Sequence, residues 1–387
     1  MQRHFPVKDV KFIDETLSWD EFKVEPFESF DEASISFVSA LSLVLLNLGK
    51  VSPNLSSLGF FLRESSIRSL KDKYSGQIQG RGLSFHLSPS NVPTVAVFSW
   101  LSSLLSGCSA IVRVNSNLSN EQKLLMTLTK GLLSSHPVIQ NRVRFIQYSH
   151  SDELNQNFSA ISDVRLLWGG DETITLFSSY QISDRCKDLC FGDRQSFAIV
   201  DLDFFYKQGL KEQKRLASAL ANDIITYNQQ ACSSPSLIVT YGSGVGLENF
   251  QCLMSKELEE TAITKPHAYE QLVNAQYLGM TNSGLRMKTV STWNWLRLPT
   301  ERITKNLKPQ SGNLLYRHTE LCLLDRFRFD SKPQTCVLIG DEKIKQLVSK
   351  RILADRYVRA GHALAHDWVW DGIDLIKQQS ISECERC

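Results

Sequence analysis

The stretch Asn228-Gln229-Gln230-Ala231-Cys232-Ser233-Ser234-Pro235 separates two patterns of different period. On its amino side, Leu216, Ala217, Leu220, Ala221, Ile224 and Ile225 recur one, three and four residues apart, the apolar stripe of an amphipathic helix. On its carboxyl side, Ser236-Leu237-Ile238-Val239-Thr240-Tyr241 is the short apolar run of a buried strand, and Pro235 forbids the helix from continuing. Cys232 therefore falls in a short helix-to-strand loop, flanked by small residues. Such a loop can present one thiol to a cleft. Residue type alone favours the other reading, a buried structural cysteine.

The same alternation runs through the amino-terminal half. The segment 31–49 is the clearest helix of the first 75 residues, and Gly80-Arg81-Gly82 breaks the chain. Residues 83–87 alternate apolar and polar side chains, as a strand does. Ser88-Pro89-Ser90-Asn91-Val92-Pro93 is a sharp turn, 94–105 an apolar helix ended by Gly107, and 110–114 a strand. Ser119 with Gln122 forms a capping-box pattern for the next helix. Strands are expected at 142–147, at 163–168 before Gly169-Gly170, and at 196–200, with a helix over 171–177. Beyond Cys232 the pattern predicts a helical stretch near 247–260, less regular chain to about 330, and a strand over 335–340. Strands alternating with helices at this pitch predict an α/β fold with a parallel, doubly wound sheet.

At roughly 100–200 residues per domain, 387 residues predict two domains. We expect a nucleotide-binding α/β domain over 1–200, a catalytic domain carrying Cys232 over 201–375, and a tail over 376–387. A net charge of +2 argues against nucleic acid as the main partner. The nine cysteines are odd in number and irregular in spacing, which fits a reducing compartment and a cytoplasmic location. Cys384-Glu385-Arg386-Cys387 has the spacing of a metal pair but no second pair, so a frayed end is expected rather than zinc. Charged residues fill the first twenty positions, so no signal peptide is expected. The longest apolar run, 37–48, is too short to span a bilayer.

Four features stand in order along the chain: Asn91 in its proline-bracketed turn, Arg113 near a strand end, Gly169-Gly170 after a strand, and Cys232. Each alone is weak: the glycines and Asn91 have a bland reading as turn residues, and Cys232 as a core thiol. Together they resemble the aldehyde dehydrogenase superfamily. Ser88 to Pro93 is similar to its Pro-Trp-Asn turn. Arg113 stands where the family usually has a ribose-contacting Lys. Gln230-Ala231-Cys232 is similar to its Gln-x-Cys nucleophile motif, with Gln229 where the family has Gly. The stretches 85–93, 168–174, 191–196, 228–235 and 370–372 resemble more closely the LuxC-type acyl-CoA reductase branch, which supplies fatty aldehyde in bacterial luciferase systems.

The resemblance implies an aldehyde dehydrogenase-like fold of two doubly wound α/β domains. It implies reduction of an acyl thioester, on coenzyme A or a carrier, to an aldehyde through an acyl-Cys232 intermediate, with Asn91 and the Cys232 N–H donating to the oxyanion. Aldehyde-oxidising members carry a Glu before the nucleophile that activates water. Here Leu189 to Arg194 hold none, so the acyl-enzyme should resist hydrolysis unless the shorter acid Asp193 takes that role. For the cofactor, the implied contacts are Ser88, Pro89, Ser90, Arg113, Ser116, Gly169, Gly170, Asp171, Glu172 and Thr173. Gly169-Gly170 suits a pyrophosphate approaching backbone N–H groups, whereas Asp171 and Glu172 either repel it or serve the helix dipole. Ser116, where NAD-preferring relatives often have an acid, leaves a 2′-phosphate unopposed, so NADPH is expected. No metal is expected, a homo-oligomer is, and an acyl-donating enzyme or carrier protein is a possible partner. The competing functions are aldehyde oxidation and a catalytically silent scaffold for an acyltransferase. His366, Trp368 and Trp370 have either a near-site role or a packing role, and His86 a structural one.

Overall fold

The computed structural model describes residues 3–6, 8–89, 91–261 and 268–385. The chain divides into two compact units, residues 1–193 with 366–387, and residues 194–365.

The first unit is built on six strands in the order Lys11–Phe12, Val143–Gln147, Ser109–Arg113, Leu83–Leu87, Val164–Trp168 and Lys187–Phe191. All neighbours are parallel except the first pair. Apolar side chains on both faces explain why these strands are apolar runs rather than strict alternations. Ile111 packs on one face and Ala110 and Val112 on the other. The helices Val95–Ser106 and Asn120–Ser134 cover the latter face, and Asp152–Ala160 and Asp171–Ser178 the former. Gly107 ends Val95–Ser106 at φ 91°, and its backbone lies against Gly80 and Phe27 too closely for any Cβ. Both arms of the Ser119–Gln122 capping box form.

The second unit carries seven strands in the order Arg286–Val290, Trp293–Arg297, Asn313–His318, Pro235–Tyr241, Ser196–Asp201, Thr335–Ile339 and Arg356–Arg359, parallel except for the first pair. Helices Leu210–Ile225 and Leu247–Thr261 pack on the face bearing Ala198 and Val200, and Ile344–Ser349 on the face bearing Phe197 and Ile199. Both sheets are thus doubly wound, as expected.

Three expectations change. Ser196–Asp201 pairs with Pro235–Tyr241 and Thr335–Ile339, so the boundary falls before residue 194 rather than after 200. Residues 366–375 group with the first unit, not with the catalytic domain expected to reach 375. The expected tail over 376–387 is instead built in: Leu375–Gln379 is helical, and Ser380–Ser382 pairs antiparallel with Gln77–Gly80. Cys387 of the terminal cysteine pair lies outside the described residues, as do Met1, Gln2, Val7 and Ser90. Among the described residues, no helix is long and apolar enough to cross a membrane.

Candidate active site

In the first unit, Leu83–Leu87 and Val164–Trp168 lie side by side, and the helices that follow them run on opposite faces. That reversal opens a crevice beyond the carboxyl ends of the two strands, where open α/β sheets bind ligands. The two turns at this point are those of Ser88–Asn91 and Gly169–Gly170. The Arg113 carbonyl accepts from the Ser88 N–H at 3.2 Å and from its hydroxyl at 2.7 Å, so this serine straps the first turn to the next strand. Pro89 and Asn91 are half-buried in the turn, and Ser90 lies outside the described residues. The Arg113 guanidinium sits 4.3 Å over the Tyr148 ring. Ser116 is exposed in a bend.

At the second turn, the Gly169 N–H donates to the Phe191 carbonyl at 3.2 Å. Gly170 is the N-cap of Asp171–Ser178 and brings no side chain to the amides of its first turn. Asp171 faces the neighbouring turn, where its carboxylate accepts from the Asp193 N–H at 3.1 Å. Glu172 is exposed, and Thr173 lies beneath Gly169, 3.3 Å from where a Cβ would be. Ser88, Arg113, Gly169 and Gly170 thus lie at the carboxyl ends of neighbouring strands of one sheet, and the helix after Gly170 opens with its amino end there. Asp171 is engaged within the protein.

A buried relay ties the two strands together. The Trp168 Nε1–H donates to the Ser99 hydroxyl at 2.9 Å, and Ser99 lies 2.7 Å from His86 Nδ1. The Ser84 and Ser103 hydroxyls, each 2.9 Å from His86 Nε2, donate elsewhere, to Ser109 O and Gln379 Oε1. Only an Nε2–H imidazole satisfies every member, so His86 is neutral with Nδ1 accepting from Ser99. Complete burial pushes its pKa down to about 3. His366 Nε2 lies 3.3 Å from the Thr94 hydroxyl, and its ring packs against Phe61 and Phe98. Trp368 stacks on Phe98, and Trp370 meets Trp168 edge-on. All three pack within the first unit.

In the second unit, Leu210–Ile225 ends at Thr226, and the strand begins at Pro235. Between them Tyr227, Asn228 and Gln229 adopt φ of 58°, 53° and 62°, three consecutive non-glycine residues in the left-handed region. Each costs about 1–2 kcal/mol. The position resembling the superfamily's Gly is therefore one whose backbone suits Gly, occupied here by Gln229. Its side-chain amide donates to Asn313 O at 3.1 Å and accepts from the Gly312 N–H at 2.9 Å. Cys232 is half-buried in the following turn, and its carbonyl accepts from the Ser196 hydroxyl at 2.7 Å. Sequence reasoning locates Cys232 but misses Gln229 and Ser196, whose partners are remote in the chain. It also misses Ser99, although Ser99, Ser102, Ser103 and Ser106 mark a polar stripe on an otherwise apolar helix.

The geometry has parallels among known proteins. The aldehyde dehydrogenase KauB of Pseudomonas aeruginosa superposes with a TM-score of 0.66 at 13% identity, over 90% of this chain and 82% of that one. A NAD-dependent benzaldehyde dehydrogenase of Corynebacterium glutamicum gives 0.64 at 10%, over 90% and 84%. These likenesses show the aldehyde dehydrogenase fold. The long-chain acyl-protein thioester reductase of Aliivibrio fischeri is 27% identical over 190 residues, 49% of this chain and 37% of that protein. Its Vibrio harveyi counterpart is 25% identical over 262 residues, 66% and 52% respectively. The aligned stretches thus span about half the length of these relatives, or less. The model of the acyl-CoA reductase (LuxC) family matches residues 51–291, and the chain belongs to that family.

Proposed function

We propose that this protein reduces a fatty acyl thioester to an aldehyde, with NADPH as the hydride donor and Cys232 as the acylated residue. The observation that carries the reading is the Cys232 loop: a half-buried thiol with its carbonyl fixed by Ser196, in a family that reduces acyl-CoA. The Cys232 thiolate attacks the acyl carbonyl, the bond from that carbon to the donor sulfur breaks, and the donor thiol leaves with a proton. The Cys232 N–H and the Asn91 amide stabilise the oxyanion, each such donor being typically worth about 2.7–4 kcal/mol. A reduced nicotinamide bound in the crevice would supply a hydride to the acyl carbon, releasing the aldehyde and returning the Cys232 thiolate.

The crevice formed by Ser88–Asn91, Arg113 and Gly169–Gly170 receives the nucleotide in this reading, and exposed Ser116 leaves room for a 2′-phosphate. Water is a poor competitor for the acyl group. Of the two positions that could align with the hydrolytic Glu of oxidising relatives, Phe191 is stacked on Trp168. The other is Cys190, whose thiol burial pushes up, leaving it protonated at neutral pH and no base. The acyl donor is coenzyme A or an acyl-bearing protein, as the names of the relatives suggest.

Intact-mass spectrometry after incubation with long-chain acyl-CoA, without nucleotide, tests this reading. A single persistent acyl adduct is expected on the wild type, and none on Cys232→Ala, which should still bind NADPH. An adduct mapped to Cys190 or Cys252, or one hydrolysed as fast as aldehyde forms, overturns it.

A further inference from the structure

The second unit spends a side chain on the loop before Cys232 in a way that packing does not require. Tyr227, Asn228 and Gln229 form a left-handed run that only glycine adopts without penalty. The Gln229 amide donates to Asn313 O at 3.1 Å and takes the Gly312 N–H at 2.9 Å. It behaves as one extra rung on the sheet, made by a side chain. The receiving end is itself rigid. The Asn313 side chain donates to Gln271 O at 2.9 Å, Asn274 Oδ1 at 3.0 Å and Gln310 O at 3.0 Å, and accepts from Asn294 at 3.0 Å. Three residues after Gln229, the Cys232 carbonyl is fixed by Ser196. The loop is thus anchored on both sides of the thiol, to two different strands of one sheet.

We infer that Gln229 is a positioning residue for Cys232, its amide holding the left-handed run against Gly312–Asn313 so that the thiol is presented in one place. This rests on the reading of Cys232 as the acylated residue. The strain is the second half of the device: beside the Gln230 N–H bond to Tyr227 O at 3.0 Å, the clamp helps to hold a run whose backbone is costly.

The discriminating variant is Gln229→Gly, which adopts φ 62° freely but has no amide. If the residue only permits the backbone turn, glycine serves as well or better. If the clamp positions the thiol, glycine fails. The measurement is the rate of Cys232 acylation by long-chain acyl-CoA, followed by intact mass, beside iodoacetamide alkylation of the same thiol. Misplacement of a reacting group by about 1 Å can cost about a hundredfold. We expect acylation of Gln229→Gly to fall by about ten- to a hundredfold, with alkylation not slowed and the melting temperature not lowered. Gln229→Glu keeps length and one acceptor but loses the donor, and it should also acylate slowly, which covers a poorly folding glycine variant. Acylation of the glycine or glutamate variant within twofold of wild type overturns the inference alone. An adduct that survives Cys232→Ala overturns both the inference and the reading beneath it.

Discussion

Gly170 leaves the turn at the first crevice without a side chain. Its φ of −65° suits any residue, and a Cβ there would meet only the Asp193 carboxylate, at 3.6 Å. Gly170→Ala should therefore fold normally. If a pyrophosphate approaches these amides, the added methyl should weaken NADPH by about tenfold, or 1.4 kcal/mol, in a fluorescence titration. Unchanged affinity would place the nucleotide elsewhere. Much of this site was legible in residues. Asn91, Gly169, Gly170 and Cys232 each stand at a helix–strand junction that periodicity alone locates. The supporting contacts were not. Gln229 reaches Gly312 and Asn313 more than eighty residues away, and the Ser88 hydroxyl serves the Arg113 carbonyl within the protein. Long-range side-chain-to-backbone bonds leave no periodic trace in a sequence.

At the scale of elements, the strands that sequence reasoning missed are those with polar residues facing specific partners. Lys187–Phe191 carries Asp188, which takes both arms of the buried Arg165 at 2.7 and 2.6 Å. Trp293–Arg297 is interrupted by Asn294 and Asn313–His318 opens on Asn313, and the two side chains bond each other. The carboxyl-terminal segment was misread because a short helix and a three-residue strand look like a tail until their partners appear. The Gln379 side chain bonds Ser102 at 2.8 Å and accepts from Ser103, while its carbonyl takes the Arg81 N–H at 2.9 Å and lies 3.1 Å from Cys108 Sγ. The helix Val95–Ser106 is buried on every side and can carry four serines only because such partners exist. Removing residues 375–387 would orphan several of these groups at about 1–3 kcal/mol each, against a total stability of about 5–15 kcal/mol. The truncated chain should lose cooperative melting, and limited proteolysis should cut within 1–193 before 194–365. A truncated chain that melts like the wild type would show the segment to be dispensable. Gln379→Leu, which keeps the bulk, should give a milder version of the same loss.

At the scale of the whole molecule, the two units carry buried titratable groups whose pKa values move so that acid acts on them in opposite directions. In the first unit, burial holds His86 neutral, with its pKa depressed from 6.5 to about 3. Its contribution is complete above pH 6.5 and is lost as pH falls toward 3, by about 5 kcal/mol in all. In the second unit, Asp223 is 2% exposed and accepts from the Gly361 and Ala363 N–H groups at 2.7 and 2.9 Å. Burial still raises its pKa from 3.8 to about 6, with those bonds and Arg356 opposing. The folded state therefore binds this proton more tightly than the unfolded chain. Stability from this group is fully present below pH 3.8 and lost as pH rises through 6, by about 3 kcal/mol. Between pH 6 and 4 the two slopes nearly cancel in the sum while diverging between the units, so a global melt understates what acid does. Hydrogen exchange should show protection over 83–113 and 164–168 falling as pH is lowered from 7 to 4, after correction for intrinsic rates. Protection around 210–225 and 361–363 should hold or rise. The stability gap between wild type and Asp223→Asn should widen in favour of the wild type as pH falls from 7 to 4. A gap that does not change with pH would mean that Asp223 keeps an ordinary carboxyl pKa, and the two units would then share one response to acid.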